Sequence, residues 1–114
     1  MLTIEALKAF GADTDDGLKW CLNKEDFYFK LIGIAVNDGN FEMLGEAIEK
    51  GDLAAAFDSA HALKGVLGNL ALTPILKPVA EATELLRSGT QTDYSGYIAE
   101  INAKRDELKA LCEG

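Results

Sequence analysis

The sequence predicts an all-α protein: an antiparallel up-down four-helix bundle with two short N-terminal helices laid across it. Apolar residues recur at alternating three- and four-residue steps along nearly the whole chain, as one face of a helix requires. No stretch shows strict alternation bounded by hairpin turns. The four longest helical stretches are joined by short loops, and short loops make consecutive helices antiparallel neighbours.

Each element has its own signals. Thr3 can cap a short helix at about 3–10, with Ile4, Leu7 and Phe10 on one side and Gly11 ending it. Asp13-Thr14-Asp15-Asp16 offers acceptors for a second helix at about 15–22, through Leu18, Trp20, Cys21 and Leu22. Asn23 reads as the next N-cap, with Glu25 and Asp26 in a first turn where acidic side chains complement the dipole. Phe27, Leu31, Ile34, Phe41 and Ile48 then hold a single phase, with Asp38 and Gly45 as weak positions. Asn37-Asp38-Gly39-Asn40 is turn-like, yet the phase runs through it. The expectation is therefore one long helix at about 24–50, bent at Gly39, with two helices and a turn as the alternative.

Gly51 closes that element and Asp52 caps the next, a helix at about 53–70. Its buried side reads Leu53, Phe57, Ala60, Leu63, Leu67 and Leu70. Thr73-Pro74 is an N-cap followed by proline at the first helical position, opening a helix at about 74–88. Ile75, Val79, Ala82 and Leu86 form its stripe, Pro78 removes one backbone donor, and Gly89 terminates it. Asp93 caps a last helix at about 93–112, with Tyr94, Ile98, Ile101, Leu108 and Cys112 in phase. Arg105 shares that phase and is expected to snorkel into solvent. No repeat or linker interrupts the 114 residues, which read as one domain.

Composition narrows the function. Hydrophobic residues make up 48% and charged residues 26%, too apolar for disorder. Nineteen acidic against eleven basic residues give a formal charge of -8, which repels phosphate backbones and anionic lipid. Neither nucleic acid nor a membrane is an expected partner. No apolar run approaches the roughly 20 residues of a membrane span, and Met1-Leu2-Thr3-Ile4-Glu5 has no basic lead to a signal peptide. A cytoplasmic protein is expected. Cys21 and Cys112 read as two thiols in a reducing compartment, with a Cys21–Cys112 bridge as the alternative on counting alone. One histidine and two distant cysteines give no zinc-ligand spacing, so no metal site is expected. Without a glycine-rich phosphate loop or a kinase signature, the chain should bind no ATP and have no kinase activity of its own.

The informative stretch is Phe57-Asp58-Ser59-Ala60-His61-Ala62-Leu63-Lys64-Gly65-Val66-Leu67-Gly68-Asn69-Leu70. His61, Lys64, Gly65 and Gly68 follow i, i+3, i+4, i+7 spacing and share one face, roughly 120° round from the leucine stripe. That face should be at least partly exposed. Gly65 and Gly68 each cost about 1 kcal/mol against alanine in a helix interior and need a cause. Close approach of a neighbouring helix is one. Clearance beside a histidine that something large must reach is the other, and it accounts for all four residues together. An exposed imidazole offers a lone pair for nucleophilic attack. A lysine one turn along can offset the charge on phosphoryl oxygens. Phosphoryl transfer through a loose transition state depends mainly on such positioning and charge stabilisation.

Ala60-His61-Ala62-Leu63-Lys64-Gly65, with Gly68 beyond, closely resembles the A-H-x-L-K-G motif of histidine-containing phosphotransfer (HPt) domains. The likeness is strongest over about residues 57–72. Asp16-Gly17-Leu18, Phe27-Tyr28-Phe29 and Gly51-Asp52 also resemble the family's segments before the histidine helix. The resemblance implies a carrier in a His–Asp phosphorelay. His61, through Nε2, would accept a phosphoryl group from a receiver-domain aspartate and pass it to another receiver. Lys64 would stabilise the group, and Gly65 and Gly68 would leave room for the docking receiver. The implied partners are response-regulator receivers and a hybrid sensor histidine kinase. Any Mg²⁺ would sit on the receiver, with no cofactor on this chain. Thr83 stands where relatives commonly place a glutamine that hydrogen-bonds near the phosphohistidine. Arg87, one turn on, could add positive potential. Ala71 replaces a glycine of many relatives. Ile4, Leu7 and Phe10 would either rim the docking surface or pack down as core.

Two other classes compete. One is a non-catalytic helical module that docks receivers without accepting phosphate; the intact histidine, lysine and glycines argue against it. The other is the dimerisation and phosphoacceptor domain of a histidine kinase. There an acidic residue usually follows the histidine, which Ala62 does not match, and the domain is an obligate dimer where a monomer is expected here.

Overall fold

The computed structural model describes residues 2–113, and these form seven α-helices and no strand. They are α1 (Ile4–Phe10), α2 (Thr14–Trp20), α3 (Glu25–Val36), α4 (Asn40–Glu49), α5 (Leu53–Asn69), α6 (Thr73–Arg87) and α7 (Ser95–Glu113). The protein is all-α, as its periodicity requires. Helix α5 packs along both α4 and α6, α6 lies against α7, and α7 returns to α3. The core between them includes Tyr28 and Ile32 from α3, Leu44 from α4, and Ala60, Leu63 and Leu67 from α5. Ile75 and Val79 from α6 and Ile101 and Leu108 from α7 complete it. Each fully buried leucine or isoleucine contributes about 1.5–3 kcal/mol.

Most helix ends are set by short-range chemistry. The Thr3 hydroxyl accepts from the Ala6 N–H at 3.0 Å and the Asp52 carboxylate from the Ala55 N–H at 3.0 Å. Asp93 accepts from the Ser95 N–H at 2.9 Å. Gly51, at φ 71°, turns the chain between α4 and α5 in a conformation that favours glycine. Two caps differ from expectation. Helix α2 stops at Trp20, and Leu22 and Asn23 both stand at φ 59°, so Asn23 belongs to a left-handed turn and does not cap α3. Helix α6 starts at Thr73 itself, whose hydroxyl donates to the Ala71 carbonyl at 3.4 Å.

The single helix expected over 24–50 is two helices. Asp38 breaks it: its carboxylate accepts from the Asn40 N–H at 2.8 Å and from the Asn40 side chain at 3.0 Å, opening α4. The end of α3 is held from far along the chain. Arg105 of α7 donates from Nε to the Val36 carbonyl at 2.7 Å and from Nη1 to Glu42 at 2.8 Å. Its guanidinium also lies 4.6 Å from the centre of the Phe41 ring. Arg105 therefore braces the break and does not snorkel freely into solvent. This bond holds the Glu42 carboxyl below its ordinary value.

Because the helix breaks, the apolar phase read through it is wrong in α3. Phe27 and Ile34 are exposed, while Tyr28, Ile32, Ala35 and Val36 are buried. Tyr28 decides the rotation. Its hydroxyl donates to the Leu70 carbonyl at 2.9 Å, tying α3 to the end of α5. Gly17 makes room for the ring, since a Cβ there would lie 2.6 Å from Tyr28 Cε1.

Candidate functional site

His61 lies at the midpoint of α5, the ninth of its seventeen residues, with its side chain exposed. The apolar stripe explains the placement. Ala56, Ala60, Leu63 and Leu67 turn α5 inward, and His61, Gly65 and Gly68 follow on the outward side. The imidazole is stacked on the Phe57 ring one turn earlier, with centroids 5.5 Å apart and planes 16° from parallel. The Arg87 guanidinium covers the Phe57 ring at 5.1 Å. Arginine, phenylalanine and histidine thus form one stack running from α6 onto α5.

Gly65 and Gly68 discriminate between the two causes that could have placed them there. A Cβ built at either meets no atom within 4 Å. Neither has a positive φ. No neighbouring helix needs the space, so close packing is excluded as their cause. The two glycines leave an open strip along α5 beside the imidazole.

The cations on the α6 side are paired. Lys64 Nζ lies 3.7 Å from Glu84 Oε2, and Arg87 Nε lies 3.4 Å from the same oxygen. Sequence reasoning read Phe57 only as part of the buried side, and it missed Glu84 altogether. As a carboxylate three residues before an arginine it reads as half of a solvated pair. Only the register of α6 against α5 puts it on Lys64. Thr83, the expected polar neighbour of the imidazole, is buried, and its hydroxyl donates to the Val79 carbonyl of its own helix at 2.6 Å. The Thr83 hydroxyl is thus taken up by its own helix, while Glu84, the next residue along, pairs with Lys64.

On the other flank, Val66 of α5 and Leu70 just beyond its end meet Trp20, Leu31 and Ile34 in an open apolar groove. Trp20 is 52% and Ile34 60% exposed, high for such large apolar side chains. Leu7 and Phe10 of α1 are buried and Ile4 packs against the core, so α1 supplies core and not this surface. Cys21 and Cys112 are both free thiols; burial raises the pKa of each. Among the described residues no three His, Cys, Asp or Glu side chains converge where a metal ion could be held, and no helix is long and apolar enough to cross a membrane.

The outward His61, at the centre of its helix in an all-α protein, thus has glycine clearance and a lysine one turn away. The Hpt domain model matches residues 37–113, which span α4 to α7 and the whole His61 face, and the chain belongs to that family. Hpt domains are helical bundles that carry phosphoryl groups on histidine in two-component phosphorelays. No curated protein and no solved structure gave a match.

Proposed function

We propose that this protein is a phosphorelay carrier that accepts a phosphoryl group on His61 from a receiver-domain aspartate and passes it to a second receiver. The observation that carries this reading is the exposed imidazole beside Gly65 and Gly68, where added Cβ atoms would meet nothing. In acceptance, the imidazole Nε2 lone pair attacks phosphorus. The N–P bond forms as the acyl-phosphate O–P bond breaks, and the aspartate leaves as a carboxylate. Donation reverses these bonds. Phe57 fixes the ring plane by stacking. Lys64 stabilises charge on the phosphoryl oxygens, and Arg87 adds positive potential from across Phe57. The receiver supplies Mg²⁺, and this chain acts as a monomer in the cytoplasm.

The receiver has to cover His61, and a partner of ordinary footprint buries about 800 Å² on each side. Val66 lies five residues beyond His61, about 8 Å along the helix axis. The groove of Trp20, Ile34 and Val66 therefore falls within that footprint, and the docked receiver would place apolar side chains in it.

The test uses the cognate phosphorylated receiver as donor. The protein should acquire acid-labile, alkali-stable phosphate, and His61→Gln should abolish it. Labelling that persists in His61→Gln would sink the assignment. Binding of the receiver without any labelling would support the non-catalytic docking module instead. Lys64→Ala should slow transfer about tenfold or more while leaving the fold intact, because the lysine is half exposed and contributes only a surface pair to stability.

A further inference from the structure

Glu84 sits where it works against a phosphoryl group. Its Oε2 atom is shared by Lys64 at 3.7 Å and Arg87 at 3.4 Å, the two cations on the α6 side of His61. Lys64 is one turn from His61 on α5, and Arg87 is stacked over the Phe57 ring on which the imidazole lies. All three charged side chains are substantially exposed, so they are free to re-pair. A phosphoryl group arriving on His61 brings about two negative charges, as other protein phosphates do, and competes for the same ammonium.

We propose that Glu84 is a displaceable counter-ion, a positioning residue that holds Lys64 while His61 is unphosphorylated and surrenders it when the phosphoryl group arrives. This rests on the phosphorelay reading above. Every transfer onto His61 then breaks the Lys64–Glu84 pair, and every transfer away restores it. The carboxylate slows acceptance and favours release, which suits a carrier that must not retain its cargo. Without Glu84 the ammonium is free for the phosphoryl oxygens from the start.

The test isolates this chain by using phosphoramidate as donor. Its P–N bond breaks as the His61 N–P bond forms, and ammonia leaves with the proton from the imidazole. Glu84→Gln should raise the second-order rate constant for phosphorylation about two- to fivefold at low salt, the scale of an exposed ion pair. The gain should fall toward unity at 0.5 M KCl, where the Debye length is only about 4 Å. It should also vanish in a Lys64→Ala background, a readout that a merely structural role would not move. An unchanged rate in Glu84→Gln overturns the exchange. A gain that survives Lys64→Ala also overturns it, by assigning the effect to direct repulsion. Phosphorylation of His61→Gln at the wild-type rate would instead remove the carrier reading, whatever Glu84 does.

Discussion

Gly65→Ala and Gly68→Ala should make the protein more stable and a worse partner. Both glycines lie inside α5 with helical backbone, and a Cβ at either site meets nothing within 4 Å. The methyl therefore adds no clash and buries almost no surface. What remains is the backbone entropy that glycine loses and alanine does not, about 0.5–1 kcal/mol at each site. Neither methyl would meet another side chain, so with no shared partner their effects should nearly add, to about 1–2 kcal/mol in the double variant. For a domain of this size that is a rise in melting temperature of about 2–4 °C for each single variant. Thermal and urea unfolding measure it. Transfer from a phosphorylated receiver should meanwhile slow about tenfold, because a methyl on the docking strip displaces the incoming phosphoryl group by a fraction of its reach. Phosphorylation by phosphoramidate, which needs no docking, should stay within about twofold of wild type. A lowered melting temperature would show that the glycines serve the fold. Unimpaired transfer from the receiver would show that they do not serve the docking partner.

Further outcomes follow from other contacts. Ile34→Glu puts a charge on a residue already 60% exposed, so it should leave stability almost unchanged while weakening receiver docking about tenfold, read as a higher half-saturating receiver concentration. Arg105→Ala removes the charge-assisted bond to Val36, the Glu42 pair and the Phe41 stack, and should cost about 2–3 kcal/mol in urea unfolding. Tyr28→Phe strips the Leu70 carbonyl of its phenolic donor and should cost about 1–2 kcal/mol. Burial, with smaller contributions from Cys21 and Asp13, pushes the Tyr28 phenol from 10.0 up to about 12, so its share of stability is intact below pH 10 and lost as pH rises toward 12. The gap in melting temperature between wild type and Tyr28→Phe should narrow over that range. Thr83→Val should leave transfer from the receiver unchanged, because the hydroxyl serves Val79 and not the imidazole.

What could be read from the sequence divides along the range of the forces involved. Thr3, Asp52 and Asp93 cap through atoms two or three residues away, so their roles follow from local chemistry. The outward face of His61, Gly65 and Gly68 follows from helical period alone once the leucines fix the inside. The α3–α4 region fails for the opposite reason. Its apolar phase is continuous, but Asp38 breaks the helix, and the Val36 carbonyl at the end of α3 finds its donor 69 residues away in Arg105. Phe27 outranks Tyr28 in hydrophobicity, yet Tyr28 is buried because Gly17 leaves space for its ring and Leu70 offers an acceptor for its hydroxyl. Neither partner is visible from within α3.

Glu84 belongs to the same class, and it changes what the site means. From α5 alone, Lys64 reads as a free ammonium waiting for phosphate. The packing of α6 supplies a carboxylate that already occupies it. A site built only to bind a phosphoryl group would gain from leaving Lys64 and Arg87 unpaired. A site built to pass one on has to keep the bound and unbound states close in free energy, because a carrier trapped in either state transmits nothing. An exposed pair worth about 0.2–1 kcal/mol is the right size to trim that balance without abolishing binding. Under the proposed carrier role, the glycine strip works on the other half of the problem: it gives up helix stability and leaves the imidazole open to a docking partner. Both features lower the local stability or affinity of this chain, and under the proposed role both suit a phosphoryl group that has to arrive and leave.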